Sequence, residues 1–311
     1  MPPLNIQTAI GNYGHTKPVK DGTAKSDKFG MEQVEVSPVT SIFRRMVRGL
    51  EFDVAEMALS TYLCARAHGK AFTAIPIFLV RGFHHGAIVI NARSDIKSPS
   101  DLAGRRVGVR GYTVTTGVWV RGILQSVYGL DLITVTWVLS GDEHVAEYAA
   151  PPNVVPAGNG DLTSMLLSGE IDAAIGVGTV DSADIKPLIP DADEASAEYY
   201  KRTGVYPINH TLVVKNSLLE THPWLGEELF ALFQDAKKTY LEFLHSGAPL
   251  SAGDQAQLER TKLVGNDPLP YGFEGARKTL ETFIQFNVDQ KVIPHRIEPE
   301  EVFAPNTLQL S

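Results

Sequence analysis

Cysteine is nearly absent from the sequence, because Cys64 is the single one among 311 residues. One cysteine cannot form an internal disulfide bond, so nothing in the sequence requires an oxidising compartment. The segment "AEMALSTYLCARAHG" has helical spacing, and we interpret Cys64 as a small buried apolar residue rather than a nucleophile. The sequence also has no Cys/His cluster and no pair of histidines with metal-ligand spacing, so it gives no support for a metal centre.

Long apolar runs and excess basic charge are also lacking. No run approaches the roughly 20 residues that span a bilayer, and "MPPLNIQTAIGNYGHTKP" lacks the basic and apolar segments of a signal peptide. The net charge is −8 and the pI is near 5.6, whereas nucleic-acid-binding proteins usually present a basic face. We therefore expect a cytoplasmic protein with no membrane partner and no nucleic-acid partner. A homo-oligomer is compatible with these features.

Motifs for nucleotide cofactors are missing as well. "GVRGYTVTTG" contains glycines, but it lacks the spacing of dinucleotide-binding and phosphate-binding loops. No G-x-S-x-G segment is present, so the sequence does not predict the nucleophilic serine of an α/β-hydrolase.

The sequence does contain alternating strand-like and helix-like segments, which predict an α/β fold with a parallel or mixed sheet. The first strand, "LNIQTAI", precedes a long loop from Gly11 to about Gly30, and long ordered loops often carry function. Further strands are predicted at "QVEVS", "FTAIPIFL" and "GAIVI". We place boundaries near residues 108 and 208. Residues 1–107 and 208–311 then form a discontinuous lobe 1, and residues 108–207 form an inserted lobe 2.

Two strand-to-helix junctions bring hydroxyl groups to a helix start. The first, "EMALST", carries Ser60 and Thr61, and the second, "GYTVTTG", carries Thr113, Thr115 and Thr116. Helix N-termini have unpaired N–H groups and a partial positive charge, so they favour carboxylates. The alternative is ordinary helix capping, because Ser and Thr are good N-cap residues.

Histidines and one glutamate are the candidates for acid/base chemistry. His84 and His85 lie in "RGFHHGAIVI", which we interpret as the start of a strand, and His210 lies in "PINH". Adjacent side chains on a strand point to opposite faces, so we expect His85 and Arg81 to face a ligand and His84 to be structural. Glu56 interrupts the apolar segment "DVAEMA", where an unpaired carboxylate would be unfavourable, so a partner or a site is expected.

Arginines are the candidate partners for an acidic substrate, because guanidinium groups bind carboxylates with two hydrogen bonds. Arg44, Arg45 and Arg48 are predicted on one helix, where a solvated face is an equally good interpretation. Arg81 and Arg121 are the other candidates.

Three blocks together resemble the 4,5-dihydroxyphthalate decarboxylase family. They are "FRRMVRGLEFDVAEMALSTYL", "RGFHHGAIVINARSDIKSPSDLAGRRVGVRGYTVTTGVWVRGIL" and "YYKRTGVYPINHTLVVKNSLLETHPWL". The resemblance implies a type II periplasmic binding protein-like fold, with two lobes of mixed sheets flanked by helices and a ligand cleft between them. It also implies these site residues: Arg45, Glu56, Ser60, Thr61, Arg81, His85, Thr116, Trp119, Arg121 and His210.

The resemblance implies cofactor-independent decarboxylation of a hydroxylated aromatic acid, by ring protonation and loss of carbon dioxide. His85 or His210 would then deliver the proton to the ring, and Glu56 or the other histidine would act as the base for the phenol. The remaining residues would bind the substrate, and no metal is expected, although a divalent metal stays open. The chain departs from the family after "EIDAAIG", where Val177 and Gly178 replace an expected proline and arginine. A non-catalytic solute-binding protein of the same fold is the alternative function.

Overall fold

The computed structural model describes residues 4–158, 160–178 and 182–311, which form eleven strands and ten α-helices. The strands are β1 Leu4–Ala9, β2 Phe29–Gln33, β3 Val54–Ala58, β4 Phe72–Arg81, β5 Ile88–Asn91, β6 Arg106–Val109, β7 Thr136–Leu139, β8 Val154–Pro156, β9 Ala173–Ile175, β10 Ile185–Pro187 and β11 Ile208–Lys215. The helices are α1 Lys17–Lys20, α2 Thr40–Gly49, α3 Leu59–Ala67, α4 Thr115–Ser126, α5 Leu162–Ser168, α6 Ala192–Thr203, α7 Asn216–Thr221, α8 Leu225–Leu244, α9 Ala252–Val264 and α10 Arg277–Asp289. The α/β class is therefore confirmed.

The first unit contains the described residues up to Arg81, together with Ile208–Leu280 and Ile297–Ser311. Its mixed sheet has the order β2-β1-β3-β11-β4. β1 is parallel to β2 and β3, whereas β11 is antiparallel to both β3 and β4. The carboxyl ends of β1, β3 and β4 and the start of β11 therefore share one edge of the sheet, the edge at which open α/β sheets bind ligands.

The second unit contains the described residues of Gly82–Pro207 and Glu281–Arg296. Its mixed sheet has the order β10-β5-β9-β6-β7-β8. A cluster of buried apolar side chains joins α5 to this sheet, consisting of Val138, Leu162, Met165, Leu166, Ile171 and Ala174. The apolar strands and the amphipathic helix of this region thus bury their faces against each other, as their sequence patterns require.

The boundaries of the units differ from the predicted lobes. Residues 82–107 were expected in lobe 1, but they supply β5 and the beginning of β6 to the second sheet. Glu281–Arg296 was also expected in lobe 1, yet it belongs to the second unit, where Phe283 stacks on Trp119 at 4.5 Å. The reason is that strand and helix periodicity shows where an element lies but not which core it joins.

Two local predictions also need correction. The predicted strand "QVEVS" is wrong, because β2 ends at Gln33 and residues 34–37 lie outside the strands. "RGFHHGAIVI" is not one strand either: β4 ends at Arg81, a 3-10 helix spans His85–Ala87, and β5 begins at Ile88. Strand alternation therefore does not govern His84 and His85, and both side chains are buried.

α9 was not predicted from the sequence. None of the residues described in this helix is buried, so it lacks the apolar periodicity that marks a helix packed on a core. None of the described helices is both long enough and apolar enough to cross a bilayer.

Candidate active site

A fully buried carboxylate, that of Glu56 on β3, is the centre of a hydrogen-bond network in the first unit. Its Oε1 atom accepts a hydrogen bond from the Tyr13 hydroxyl at 2.7 Å and lies 2.5 Å from His210 Nδ1. Its Oε2 atom accepts the Gly11 N–H at 2.7 Å. Glu56 thus has the partners that its burial requires.

The Glu56 carboxylate is held in its ionised form. Burial alone would raise its pKa, but the hydrogen bond and charge of His210, with the hydrogen bonds from Tyr13 and Gly11, bring the pKa below its usual value. Because an ionised carboxylate can only accept hydrogen bonds, Nδ1 of His210 carries the hydrogen that points at Glu56. The other ring nitrogen, Nε2, is then the atom available for proton transfer.

Strand pairing explains why Glu56 and His210 meet. His210 on β11 is opposite Ala58 on β3, and Leu212 is opposite Glu56, so the two side chains are diagonal neighbours on one face of the sheet. The pairing of β11 with β4 shifts register on both sides of His210. Such irregularities change the direction of a side chain and are common beside active sites.

His210 remains reachable from solvent, since its side chain is 16% exposed while that of Glu56 is 0% exposed. Among the described residues, Nε2 of His210 makes no hydrogen bond. The Phe43 ring packs edge-on against the imidazole at 4.9 Å. The arrangement is therefore a buried carboxylate that orients a partly exposed imidazole, which is the geometry of a general acid/base pair.

The loop after β1 adds two residues that the sequence reasoning did not single out, Tyr13 and His15. Burial, followed by the charge of Glu56, raises the pKa of Tyr13 far above its usual value, so this hydroxyl stays protonated and donates to Glu56. The His15 ring stacks parallel to the Tyr13 ring at 5.4 Å. Gly14 lies between them, and a Cβ atom there would collide with the Tyr240 ring. In the sequence, these two residues are indicated only by the segment "GNYGHTKP". This segment follows the first strand and lies in the loop from Gly11 to about Gly30 that was expected to carry function.

His15 is a buried neutral histidine. Burial lowers its pKa to about 4, against an opposing contribution from the charge of Glu56. It hydrogen-bonds the Leu79 carbonyl, and its Nε2 atom has no partner among the described residues, which leaves Nδ1 as the donor. His15 therefore presents Nε2 as a hydrogen-bond acceptor.

A cavity of about 350 Å³ lies within the first unit beside this loop. Its wall includes Asn12, Tyr13, His15, Arg81, Gln257 and Arg260, among others from β4, α8 and α9. A cavity of this size is within the range that holds a small organic ligand. Tyr13 lines this cavity and also bonds to Glu56 through its hydroxyl, whereas Glu56 and His210 do not themselves line the cavity.

The other candidates in the first unit have different surroundings. Arg81 is buried, donates to the Pro270 carbonyl at 3.0 Å and lines the cavity. Arg45 instead pairs with Glu51 at 2.7 Å and packs over the Phe52 ring, with its side chain 40% exposed. The structure therefore does not bring Arg45 to the Glu56 network.

Ser60 and Thr61 lie in the first turn of α3 and are fully buried. The residue at the N-cap position is Ala58, so the simple alternative that these hydroxyls cap the helix does not hold. Among the described residues, Thr61 Oγ1 has no hydrogen-bond partner. α4 is similar, because its N-cap is Val114 and Thr115 is its first residue.

His85 lies in the second unit, where Ser196 is its partner. Ser196 Oγ donates to the Ala192 carbonyl and lies 3.0 Å from His85 Nδ1, so it accepts the hydrogen of that nitrogen. Burial lowers the pKa of His85 to about 4, which leaves the ring neutral at pH 7. A neutral imidazole is a poor proton donor, so His85 suits the general-acid role less well than a histidine paired with a carboxylate. His84 stacks on Trp119 at 6.4 Å.

Trp119 and Arg121 are both fully buried in the core of the second unit. Trp119 stacks on Phe283 and meets Phe286 edge-on. Arg121 bonds to Gln290 Oε1 at 2.7 Å and the Tyr112 carbonyl at 2.5 Å. These contacts hold both side chains in the core of the second unit, although one guanidinium nitrogen of Arg121, Nη1, has no hydrogen-bond partner among the described residues.

Thr116 lies on the first turn of α4, close to the point where the chain departs from the family pattern. Its Cγ2 atom would be 3.9 Å from a Cβ atom at Gly176, and Val177 packs against the core cluster of the second unit. Gly178 is exposed and has a φ of 72°, a conformation that favours glycine. An arginine at position 178 would therefore strain this backbone.

No group of three or more His, Cys, Asp or Glu side chains within the described part of the chain is arranged to hold a metal ion.

The two buried neutral histidines make the fold sensitive to acid. Between pH 6.5 and about 4, unfolded chains bind a proton on His15 and on His85 that the folded protein does not, so stability falls as the pH falls. Each histidine is expected to destabilise the fold by about 2 kcal/mol at pH 5 relative to pH 7. Thermal unfolding between pH 7 and 5 checks this, and His85→Asn should flatten the slope. The exposed-site variant His245→Asn is the control, and equal slopes for all three proteins contradict the expectation.

Comparison with known proteins places the chain in a family. The 4,5-dihydroxyphthalate decarboxylase of Comamonas testosteroni is 31% identical over 329 residues, covering 99% of this chain and 99% of the relative. The chain belongs to the 4,5-dihydroxyphthalate decarboxylase family. The 4,5-dihydroxyphthalate decarboxylase of Pseudomonas putida is 33% identical over 213 residues, which is 64% of this chain and 82% of that relative. No protein-family model matches the chain.

Solved structures confirm the fold of this decarboxylase family member. The periplasmic aliphatic sulphonate binding protein SsuA of Escherichia coli superposes with a TM-score of 0.56 at 14% identity, covering 97% of this chain and 91% of that protein. At this identity the likeness concerns the fold alone. The family and the periplasmic binding protein-like fold that the three sequence blocks predict are both confirmed.

Proposed function

We propose that this chain is a decarboxylase that converts 4,5-dihydroxyphthalate to protocatechuate. The observation that carries the proposal is the Glu56–His210 pair, a buried ionised carboxylate 2.5 Å from a partly exposed imidazole, in a member of the 4,5-dihydroxyphthalate decarboxylase family. The pair offers what this reaction needs, which is an oriented proton donor next to a fixed negative charge.

The reaction proceeds through protonation of the ring. A hydroxyl para to the departing carboxylate releases its proton to solvent, and its electrons flow into the ring. His210 Nε2 delivers a proton to the carbon that bears this carboxylate, and Glu56 stabilises the charge on the imidazole before the transfer. The carbon–carbon bond then breaks, carbon dioxide leaves, and the aromatic ring is restored as a phenolate, which regains from solvent the proton that the hydroxyl released. One proton is consumed overall, and it ends on the ring carbon.

The ring itself accepts the electrons in this scheme, so we propose that the reaction needs no cofactor. Thr61 and Arg81 are proposed to bind the substrate carboxylates through hydroxyl and guanidinium donors. The neutral state of His85 makes it a poorer proton donor than His210. Arg45, Trp119 and Arg121 have partners in the protein that explain their positions, and we give them no role in the chemistry.

The alternative function is non-catalytic binding of an aromatic acid. The fold shared with a solute-binding protein is compatible with this alternative. Both functions predict binding of 4,5-dihydroxyphthalate, but only the first predicts chemistry. The decisive difference is whether carbon dioxide is released.

The experiment incubates the purified protein with 4,5-dihydroxyphthalate or phthalate in D₂O, with and without a chelator. We expect one equivalent of carbon dioxide and a protocatechuate that carries deuterium on the carbon where the carboxylate was. Phthalate should give no carbon dioxide, because it lacks the hydroxyl that supplies electrons. Binding of 4,5-dihydroxyphthalate without release of carbon dioxide would contradict the decarboxylase proposal and support the non-catalytic binding protein. Activity that disappears with the chelator would overturn the cofactor-free scheme.

A further inference from the structure

We propose that His15 Nε2 accepts a hydrogen bond from a phenolic hydroxyl of the substrate and thereby selects hydroxylated aromatic acids. This inference rests on the proposed function, and it concerns recognition rather than the proton transfer. Its starting point is a buried polar atom: His15 is 2% exposed, and no described residue donates to its Nε2. Leaving such an atom unpaired is unfavourable, so a ligand that pairs with it gains affinity.

The chemistry of this atom defines the group it can bind. Nδ1 donates to the Leu79 carbonyl, so Nε2 carries a lone pair and can only accept. A carboxylate also only accepts, so it is excluded as the partner. In a hydroxylated aromatic dicarboxylate at neutral pH, the hydroxyl groups are the hydrogen-bond donors.

The surroundings of His15 fit the rest of such a ligand. The cavity that His15 lines also has Arg81 and Arg260 on its wall, which supply positive charge for carboxylates. Among the described residues of this wall, Asp254 supplies the one carboxylate, and it already accepts hydrogen bonds from the Tyr240 hydroxyl at 2.7 Å and from Ser251 at 2.6 Å. The parallel rings of Tyr13 and His15 give the cavity an aromatic surface.

Two variants separate the acceptor from the other roles of His15. His15→Asn keeps a donor near the position of Nδ1 and removes the acceptor. His15→Gln can place an oxygen near the position of Nε2 and restores the acceptor. Both are combined with His210→Asn, so that the ligand is not consumed during equilibrium titration.

The measurement is the ratio of the Kd for phthalate to the Kd for 4,5-dihydroxyphthalate, two ligands that differ only in the hydroxyls. We expect His15→Asn to lower this ratio by about tenfold, a typical contribution of one buried hydrogen bond, with the Kd for phthalate changed by less than about twofold. His15→Gln should restore most of the ratio. An unchanged ratio in His15→Asn overturns the proposal, as does equal loss of both ligands.

Failure of this inference is distinguishable from failure of the proposed function. If the unaltered protein releases carbon dioxide and His15→Asn keeps the ratio, only the role of His15 is wrong. If no carbon dioxide is released but the ratio falls as expected, the His15 contact stands in a binding protein. If the unaltered protein binds neither ligand, both proposals are overturned.

Discussion

Replacing His210 with asparagine is expected to lower kcat for carbon dioxide release by about 10²- to 10⁴-fold, the usual contribution of a general acid. The asparagine amide can still donate to Glu56 from the position of Nδ1, so the buried carboxylate keeps a partner. What the variant lacks is Nε2, the atom proposed to deliver the proton. The Kd for 4,5-dihydroxyphthalate and the Tm should therefore change little while turnover is lost.

Rate measurements under saturating substrate, with Kd and Tm determined in parallel, check this expectation. His222→Asn is the matched control, since His222 lies in the same unit with Trp224 as its ring contact, away from the Glu56 network. His85→Asn is run alongside it. Full turnover in His210→Asn, or a larger loss in His85→Asn, would transfer the proton-donor role away from His210.

Replacing Glu56 with glutamine is expected to lower both stability and turnover. Three donors converge on the carboxylate, from Gly11, Tyr13 and His210, and an amide has only one accepting oxygen. In either orientation of the amide, its NH₂ group opposes at least one buried donor, which costs about 1–3 kcal/mol. The loss of the negative charge also leaves the imidazole without the group that orients it.

We expect Tm to fall by several degrees and kcat to fall by at least about 100-fold in Glu56→Gln. Thermal unfolding and initial rates measure the two effects separately. Glu228→Gln, which removes a surface ion pair with Lys28, serves as the control and should change both quantities little. A Glu56→Gln protein with unaltered stability would show that the network is not a structural constraint, and one with unaltered kcat would remove Glu56 from the mechanism.

Glu56 and His210 could be selected as candidate site residues from the sequence because of their local surroundings. A carboxylate in an apolar strand needs a partner, and an imidazole at the start of a strand is placed at a sheet edge. Their direct contact could not be predicted, because it depends on the antiparallel register of β3 and β11, which are separated by about 150 residues in sequence. Register is set by the packing of the whole sheet and leaves no local signal.

Tyr13 and His15 show a different limit. The loop that contains them was recognisable, but the residues within it were not, because loop conformation follows few periodic rules. The strand predicted at "RGFHHGAIVI" was wrong because its apolar residues follow a strand-like pattern. The 3-10 helix at His85–Ala87 has no signal in that pattern. The separation of His84 from His85 by strand alternation therefore had no structural basis.

The short segment Glu281–Arg296 belongs to the second unit although it is far in sequence from Gly82–Pro207. It supplies Phe283 to the stack on Trp119 and Gln290 to the buried guanidinium of Arg121. A fragment that contains only residues 82–207 lacks both of these contacts. It would expose Trp119 and would remove the Gln290 hydrogen bond from the buried guanidinium of Arg121. Recombination between relatives by a simple two-point exchange is therefore disfavoured, and sequence changes in α4 and in Glu281–Arg296 should be inherited together.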